Sequence, residues 1–219
     1  MAYPKIQATL SENSNAKPYM HHAIDFQSTH FDFLKLTPRK PTLKHQLLCV
    51  ESGMVTIRLG KQEYAIDKGE MFWVPANCLT SLSYFPDTKV SVVEASQRLA
   101  DAFPHQAGYI KPSNLLKSLL SKLEAVKSKS EHTQVLLSAV RFELSELKPK
   151  LISTPLTKSL SDWQSKDGQL SPQTVLVLKV REAEKMRLSG VKDGQIAEKW
   201  FAGELSAYQA ATQAVLGER

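Results

Sequence analysis

HQLLCVESGMVTIRLGKQEYAIDKGEMFWVPANCLTSLSYFPDTKVSVVEA occupies residues 45–95, and its texture decides the fold. Short runs rich in Val, Ile, Leu and aromatic residues alternate with turn residues. LLCV (47–50) and MVTIRL (54–59) flank Glu51-Ser52-Gly53, where Gly53 is free to take positive φ, so a tight hairpin is expected there. Gly60-Lys61 marks a second turn, DKGE (67–70) a third, and MFWV (71–74) reads as a strand that stops at Pro75. Strands this closely spaced leave no room for parallel crossover units. The stretch reads as an antiparallel sandwich or small barrel.

Downstream of Pro104 the period changes to that of helices. Pro112-Ser113-Asn114 opens a segment in which Leu115, Leu116, Leu119, Leu120 and Leu123 form one apolar stripe. A second helix is expected over 131–147, with Val135, Leu136, Ala139, Val140, Leu144 and Leu147 along one face and Pro149 ending it. Thr154-Pro155 and Ser171-Pro172 are cap and first-turn signals for two more helices, closed by Gly168 and Gly190. Leu176, Val180, Ala183 and Met186 line up along the longer of these. KDGQIAEKW (192–200), a turn at FAGE, and LSAYQAATQAVLG (205–217) complete the set. Upstream, residues 1–29 read as a polar arm with one strand near AIDFQ (23–27).

Composition narrows the class. Of 219 residues, 42% are hydrophobic, which is enough for a buried core. No apolar run approaches the ~18 residues of a membrane span. The start of the chain has no apolar stretch behind a basic head, so a cytoplasmic location is expected. Cys49 and Cys78 match no zinc or redox spacing and read as reduced thiols. The formal net charge is +6. Residues 151–219 contain nine Lys and Arg against eight Asp and Glu, so the excess lies upstream. A dedicated DNA-binding half usually carries the excess itself.

Residues 160–190, LSDWQSKDGQLSPQTVLVLKVREAEKMRLSG, followed by 192–217, resemble the helix-turn-helix region of AraC/XylS-type transcription regulators. Trp163, Gly168 and Ser171-Pro172 fit that family's aromatic-to-Gly-x-Ser-Pro step. Arg181 and Ala183 fit its long linker helix, and Ile196, Ala197, Ser206 and Tyr208 fit its second helix-turn-helix. Upstream, Gln46, Leu47, Gly53, Gly69, Trp73 and Pro75 are similar to the cupin-type sensor of the same regulators. The resemblance implies an α+β chain: a cupin-like antiparallel β-barrel or sandwich, then an all-α helix-turn-helix-containing C-terminal region. It implies an N-terminal arm (1–29), a sensor (30–104), linker or dimerisation helices (105–150) and a shortened helix-turn-helix region (151–219).

Departures from the family pattern carry information too. The bracing helix of the first helix-turn-helix is missing or replaced by 131–147. Phe201 stands at the turn glycine, Ala202 at the next aromatic, Thr212 at a core Phe, and Gln209, Gln213 and Ala214 where Arg and Lys are usual. The paired histidines of metal-binding cupins are absent; His45 alone is near.

Candidate sites follow. In the helix after Thr154, Thr157, Lys158 and Ser161 would reach DNA while Leu156, Leu160 and Trp163 pack inward; a plain core helix is the competing reading. In the last helix, Tyr208, Ala211 and Val215 would face the core, leaving Ser206, Gln209 and Gln213 outward. Glutamine can pair with adenine through two hydrogen bonds. Phosphate anchoring needs cations such as Lys192. In the sensor, Lys44, Gln46, Trp73 and Thr80 are candidate effector contacts, although Trp73 between Phe72 and Val74 also reads as core. Glu63, Asp67 and Glu70 read as a solvated edge. His21, His22, His30 and His45 lack ligand spacing, so no metal is expected. No nucleophile elbow, triad order or phosphate loop is present, so neither catalysis nor a cofactor is expected.

Two functions remain open from sequence. One is a homodimeric, DNA-binding regulator of AraC type that responds to a small-molecule effector. The other is an effector-sensing or partner-binding relative that has lost DNA binding and acts through hetero-oligomers.

Overall fold

The computed structural model describes residues 23–126, 130–165 and 170–218. Strands come first: β1 (Ile24–Phe31), β2 (Lys35–Leu36), β3 (Lys40–Pro41), β4 (Lys44–Ser52), β5 (Met54–Leu59), β6 (Gln62–Asp67), β7 (Met71–Val74), β8 (Leu79–Tyr84), β9 (Thr88–Ser96) and β10 (Gly108–Ile110). Helices follow: α1 (Asn114–Ala125), α2 (Glu131–Ser145), α3 (Pro155–Ser161), α4 (Pro172–Leu188), α5 (Asp193–Trp200) and α6 (Leu205–Leu216). The α+β class expected from sequence, an antiparallel sandwich followed by a helical region, is the one observed. Sheet order begins at Ile24, so β1 precedes the expected start of the sensor at residue 30.

Two antiparallel sheets make the sandwich. The first runs β1-β9-β4-β7-β10; the second runs β2-β8-β5-β6, with β3 also on β8. The connection at Glu51-Ser52-Gly53 is therefore not a hairpin. β4 pairs with β7 and β9, and β5 pairs with β6 and β8, so this turn carries the chain from one sheet to the other. Gly53 does take positive φ, at 73°. It is needed for a second reason as well: a Cβ there would lie 2.7 Å from the Cα of Thr88. That close approach lets the Thr88 hydroxyl bond both the N–H and the C=O of Met54, each at 3.1 Å.

Both faces of both sheets are covered, which explains the unbroken apolar runs in the strands. Between the sheets lie Leu48, Val50, Val55, Ile57, Tyr64, Ile66, Phe72, Val74 and Val90. The other face of the first sheet carries Leu47, Cys49, Trp73, Val93 and Ala95, packed on Leu116, Leu119, Leu120 and Leu123 of α1 and Leu136, Leu137, Val140 and Leu144 of α2. Period-two alternation thus splits neighbours such as Leu47 and Leu48 between two cores. Each such side chain contributes about 1.5–3 kcal/mol through burial. Leu115, expected on the α1 core stripe, is instead 55% exposed.

The other face of the second sheet is roofed by the C-terminal helices. Leu34, Ala65 and Phe85 pack with Leu160, Val177, Leu178, Val180, Ala211 and Val215. A small satellite core of Ala183, Ile196, Ala197 and Tyr208 holds α4, α5 and α6 together. Local signals set the helix starts. Ser113, Thr154 and Ser171 each accept a hydrogen bond from a first-turn backbone N–H, and Ser130 with Thr133 forms a reciprocal box. Polar bonds anchor the roof: the Leu34 N–H donates to the Val215 carbonyl at 2.8 Å, and the Ala65 N–H donates to Thr157 Oγ1 at 3.1 Å.

Glu63 corrects the sequence reading most sharply. It does not lie on a solvated edge. It sits in β6, facing α4, where Arg181 grips it with both Nη nitrogens, Nη2 to Oε2 at 3.1 Å. Burial pushes the Glu63 carboxyl up, but the charge of Arg181 and the hydroxyl of Thr56 outweigh that and hold it below the usual carboxylate range.

Candidate functional site

Strand register assembles a polar row at one end of the sandwich. Asp25 on β1 pairs with Glu94 on β9, and Glu94 pairs with Gln46 on β4. By alternation all three share the inner face with Val90, Val92 and Leu48. Lys44 Nζ lies 2.7 Å from Glu94 Oε2, and Gln46 Nε2 donates to Glu94 Oε1 at 3.0 Å. Opposite them stands Tyr84 on β8, whose ring stacks on Phe31 with centroids 4.2 Å apart. Burial, aided by the nearby Glu94 charge, pushes the Tyr84 phenol up to about 12. It remains a neutral hydroxyl at any physiological pH.

Two cavities of about 340 Å³ each adjoin this row. One is walled by Asp25, Gln27, Thr29, Phe31, Leu48, Val90 and Val92; the other lies under the 37–44 segment with Thr80 and Leu82. Gln46, Tyr84 and Glu94 line both. Each volume falls in the ~300–1,000 Å³ range of small-molecule sites, and the mix of apolar wall and a few polar groups is typical of them.

Three of the four expected effector contacts meet here: Lys44, Gln46 and Thr80 all line the second cavity. Trp73 does not. It is fully buried on the opposite face of β7, among Phe103 and the α1 and α2 leucines, with its indole N–H donated to the Pro104 carbonyl at 2.9 Å. The single-residue step from Phe72 puts it on the wrong side of the sheet for any cavity ligand. Glu94, Tyr84 and Asp25 were missed. The readable signal was Val90-x-Val92-x-Glu94, an inward alternation that ends in an acid at the sheet margin.

His45 sits behind the row rather than in it. Its ring stacks on Trp73 at 5.6 Å, and its Nδ1 accepts from the Ala76 N–H at 3.2 Å. Burial first, then the charge of His105, lowers its pKa. His30 pairs with exposed Asp32 at 3.1 Å. Among the described residues no three His, Cys, Asp or Glu side chains gather as a metal site. His21 and His22 lie outside the described residues.

The DNA-contact candidates are split by the structure. Thr157 is buried, its hydroxyl accepting from Ala65 and lying 3.2 Å from the Tyr109 hydroxyl, so it is a docking residue of α3 and not a groove contact. Lys158 and Ser161 are exposed, and the Ser161 hydroxyl donates back to the Thr157 carbonyl at 3.0 Å. On α6, Tyr208, Ala211, Thr212 and Val215 are buried while Ser206, Gln209 and Gln213 are exposed. Their outward neighbours are Ala207, Ala210 and Ala214, and the whole helix carries no charged residue. Lys192 is exposed at the start of α5. Three of the four cations on α4 are engaged, Arg181 with Glu63, Lys185 with Glu182 at 2.8 Å, and Arg187 with Glu184 at 2.8 Å; the fourth is Lys179.

The sequence model of the AraC-like ligand binding domain matches residues 23–150. No curated protein sequence matches the chain. Among solved structures, ToxT from Vibrio cholerae covers 90% of this chain and 96% of its own, with 11% identity and a TM-score of 0.37. A cupin superfamily protein from Desulfitobacterium hafniense covers 35% of this chain and 70% of its own, at 12% identity and a TM-score of 0.33. A cupin-like protein from Thermotoga maritima covers 35% of this chain and 59% of its own, at 20% identity and a TM-score of 0.31.

Proposed function

Because the chain belongs to the AraC-like ligand-binding-domain family, we propose that it is an effector-sensing regulator whose small-molecule site is the row formed by Lys44, Gln46, Thr80, Tyr84 and Glu94. The observation that carries this reading is the pair of adjoining cavities sharing one polar wall. The protein works by binding and not by catalysis, and its free thiols, Cys49 and Cys78, suit the cytoplasm. No helix among the described residues is long and apolar enough to cross a membrane.

The output of the regulator has two readings. Exposed Ser206, Gln209 and Gln213 on one flank of α6 favour contact with base edges in a major groove. The absence of charge on α6 and the pairing of Arg181, Lys185 and Arg187 on α4 favour a protein partner instead. We favour the second, because phosphate contacts by Lys and Arg supply most non-specific affinity. Titration of the folded protein with duplex DNA at low and moderate salt decides between them. The expected result is no saturable shift even at low salt. Saturable binding that weakens steeply with salt restores the groove-reading function and removes the partner reading.

A homodimer is proposed through the helical layer on the first sheet. Leu115 on α1 and Val135 and Phe142 on α2 are 55%, 63% and 68% exposed, and Val135 and Phe142, seven residues apart, share one face of α2. Light scattering is expected to give the mass of two chains for the wild type and of one for Phe142→Glu, with unchanged circular dichroism. A wild type that stays monomeric at high concentration removes this proposal.

A further inference from the structure

We propose that the effector is an uncharged alcohol or phenol on an apolar body, its hydroxyl held between the Gln46 carbonyl and the Tyr84 hydroxyl. The inference rests on the reading of the sandwich cavities as the effector site, and it adds the chemical class.

Charge is the first argument. The acid of the shared wall is already satisfied: Glu94 Oε2 accepts from Lys44 at 2.7 Å, and Glu94 Oε1 accepts from Gln46 at 3.0 Å. Asp25 is engaged as well. Lys40 is the other cation beside the cavities. It lines only the second of them, and it is exposed on the short strand β3, where water solvates it. A ligand ammonium at the shared wall would therefore have to displace Lys44 from Glu94, which loses an existing charge pair. A ligand carboxylate would have to share Lys44 with Glu94, which sets two acids side by side. Burying either ion also costs more than burying a hydroxyl that finds its hydrogen bonds. An uncharged ligand leaves the pair intact.

Hydrogen-bonding capacity is the second argument. The side-chain groups of the row that have no partner are neutral. Gln46 gives its amide N–H to Glu94 and keeps its carbonyl to accept. The Tyr84 ring stacks on Phe31, but its hydroxyl has no hydrogen-bond partner among the described residues. Burial keeps that phenol protonated, so it donates. The Thr80 hydroxyl is also without a partner among the described residues, although Thr80 is only 6% exposed and lines the second cavity. One ligand hydroxyl meets both main demands, donating to the Gln46 carbonyl and accepting from Tyr84. A ketone or an ether would accept from Tyr84 and leave the carbonyl unanswered. The rest of the lining, Phe31, Leu48, Val90 and Val92 in the first cavity and Leu82 in the second, suits an aryl or alkyl body. A sugar, polar on every face, would waste this apolar wall.

Calorimetry on the full chain tests this with four matched probes: 2-phenylethanol, its methyl ether, phenethylamine and 3-phenylpropionate. The alcohol is expected to bind tighter than the ether by roughly three- to tenfold, the worth of one neutral hydrogen bond, and tighter than either charged probe. Gln46→Leu is expected to bring the alcohol down to the affinity of the ether and to leave the ether unchanged. Tyr84→Phe keeps the ring and removes only the hydroxyl, and it is expected to weaken both by roughly three- to tenfold. Circular dichroism of each variant confirms that it folds. An ether, amine or carboxylate that binds at least as tightly as the alcohol, yet is weakened by Tyr84→Phe or Gln46→Leu, overturns the alcohol class and leaves the cavity reading standing. Alcohol binding that ignores both substitutions overturns the cavity reading itself. Absence of binding by the alcohol overturns the inference.

Discussion

Arg181→Met is expected to cost about 3 kcal/mol of stability at neutral pH, the low end of the range for breaking a buried ion pair. Arg181 is 3% exposed and reaches from α4 to a carboxylate 118 residues earlier in the chain. Its Nη1 also lies 3.5 Å from the Thr56 hydroxyl, and its Nε donates to Glu182 at 3.0 Å. Methionine keeps the apolar stem and removes every one of these bonds. Glu63 is then left with the Thr56 hydroxyl at 2.7 Å as its remaining close partner, in a largely apolar seam. Its carboxyl retains 27% of its side-chain surface to solvent, which is why the low end of the range applies.

The loss has a pH signature. In the wild type the Glu63 carboxyl is held below its ordinary value of 4.5, so the pair contributes fully above that value. The contribution fades as pH falls through the lowered one. Urea unfolding of wild type and variant is therefore expected to differ most at neutral pH and to converge in acid. A gap that stays constant down to acid pH defeats the assignment. Replacing both partners, Arg181→Met with Glu63→Leu, is expected to recover most of the loss, because an apolar pair of similar volume needs no compensation.

Trp73→Ala is expected to destabilise by roughly 3–5 kcal/mol, the range for a buried aromatic truncated to Ala. Trp73 is fully buried, its ring in tilted contact with Phe103 at 5.9 Å and stacked on His45. Its removal empties space between the first sheet and the α1–α2 layer and leaves the Pro104 carbonyl without its donor. Effector affinity of the fraction that remains folded is expected to be unchanged. A variant of normal stability with lost ligand binding would return Trp73 to the site and move the cavity to the other face of the sheet.

How far the sequence could be read depends on the range of each interaction. Helix starts were legible because Ser113, Thr154 and Ser171 act within one turn. The buried face of α6 was legible for the same reason, from the spacing of Tyr208, Ala211 and Val215. Gly53 was read rightly as a positive-φ turn and wrongly as a hairpin. Local turn chemistry is the same in both cases; what decides is that β4 pairs with β9, some forty residues on. Glu63 looked like an edge acid because its buried partner, Arg181, lies 118 residues further along the chain, beyond any local reading. Thr157 looked outward because a threonine in a short helix more often faces water than another strand's backbone N–H. The polar row at Glu94 needed three strands in register, which no single stretch of sequence contains.

The roof over the second sheet bears on what the chain can discard. The family's sequence model ends at residue 150, but the apolar surface does not respect that boundary. Leu34, Ala65 and Phe85 belong to the sensor and are wrapped by residues 160–215. A gene trimmed at the domain limit would encode a sticky remnant, prone to precipitate. Covering this surface alone therefore requires the inward side chains of the tail, whatever its outward ones meet. The presence of these helices is consequently no sign that they touch nucleic acid.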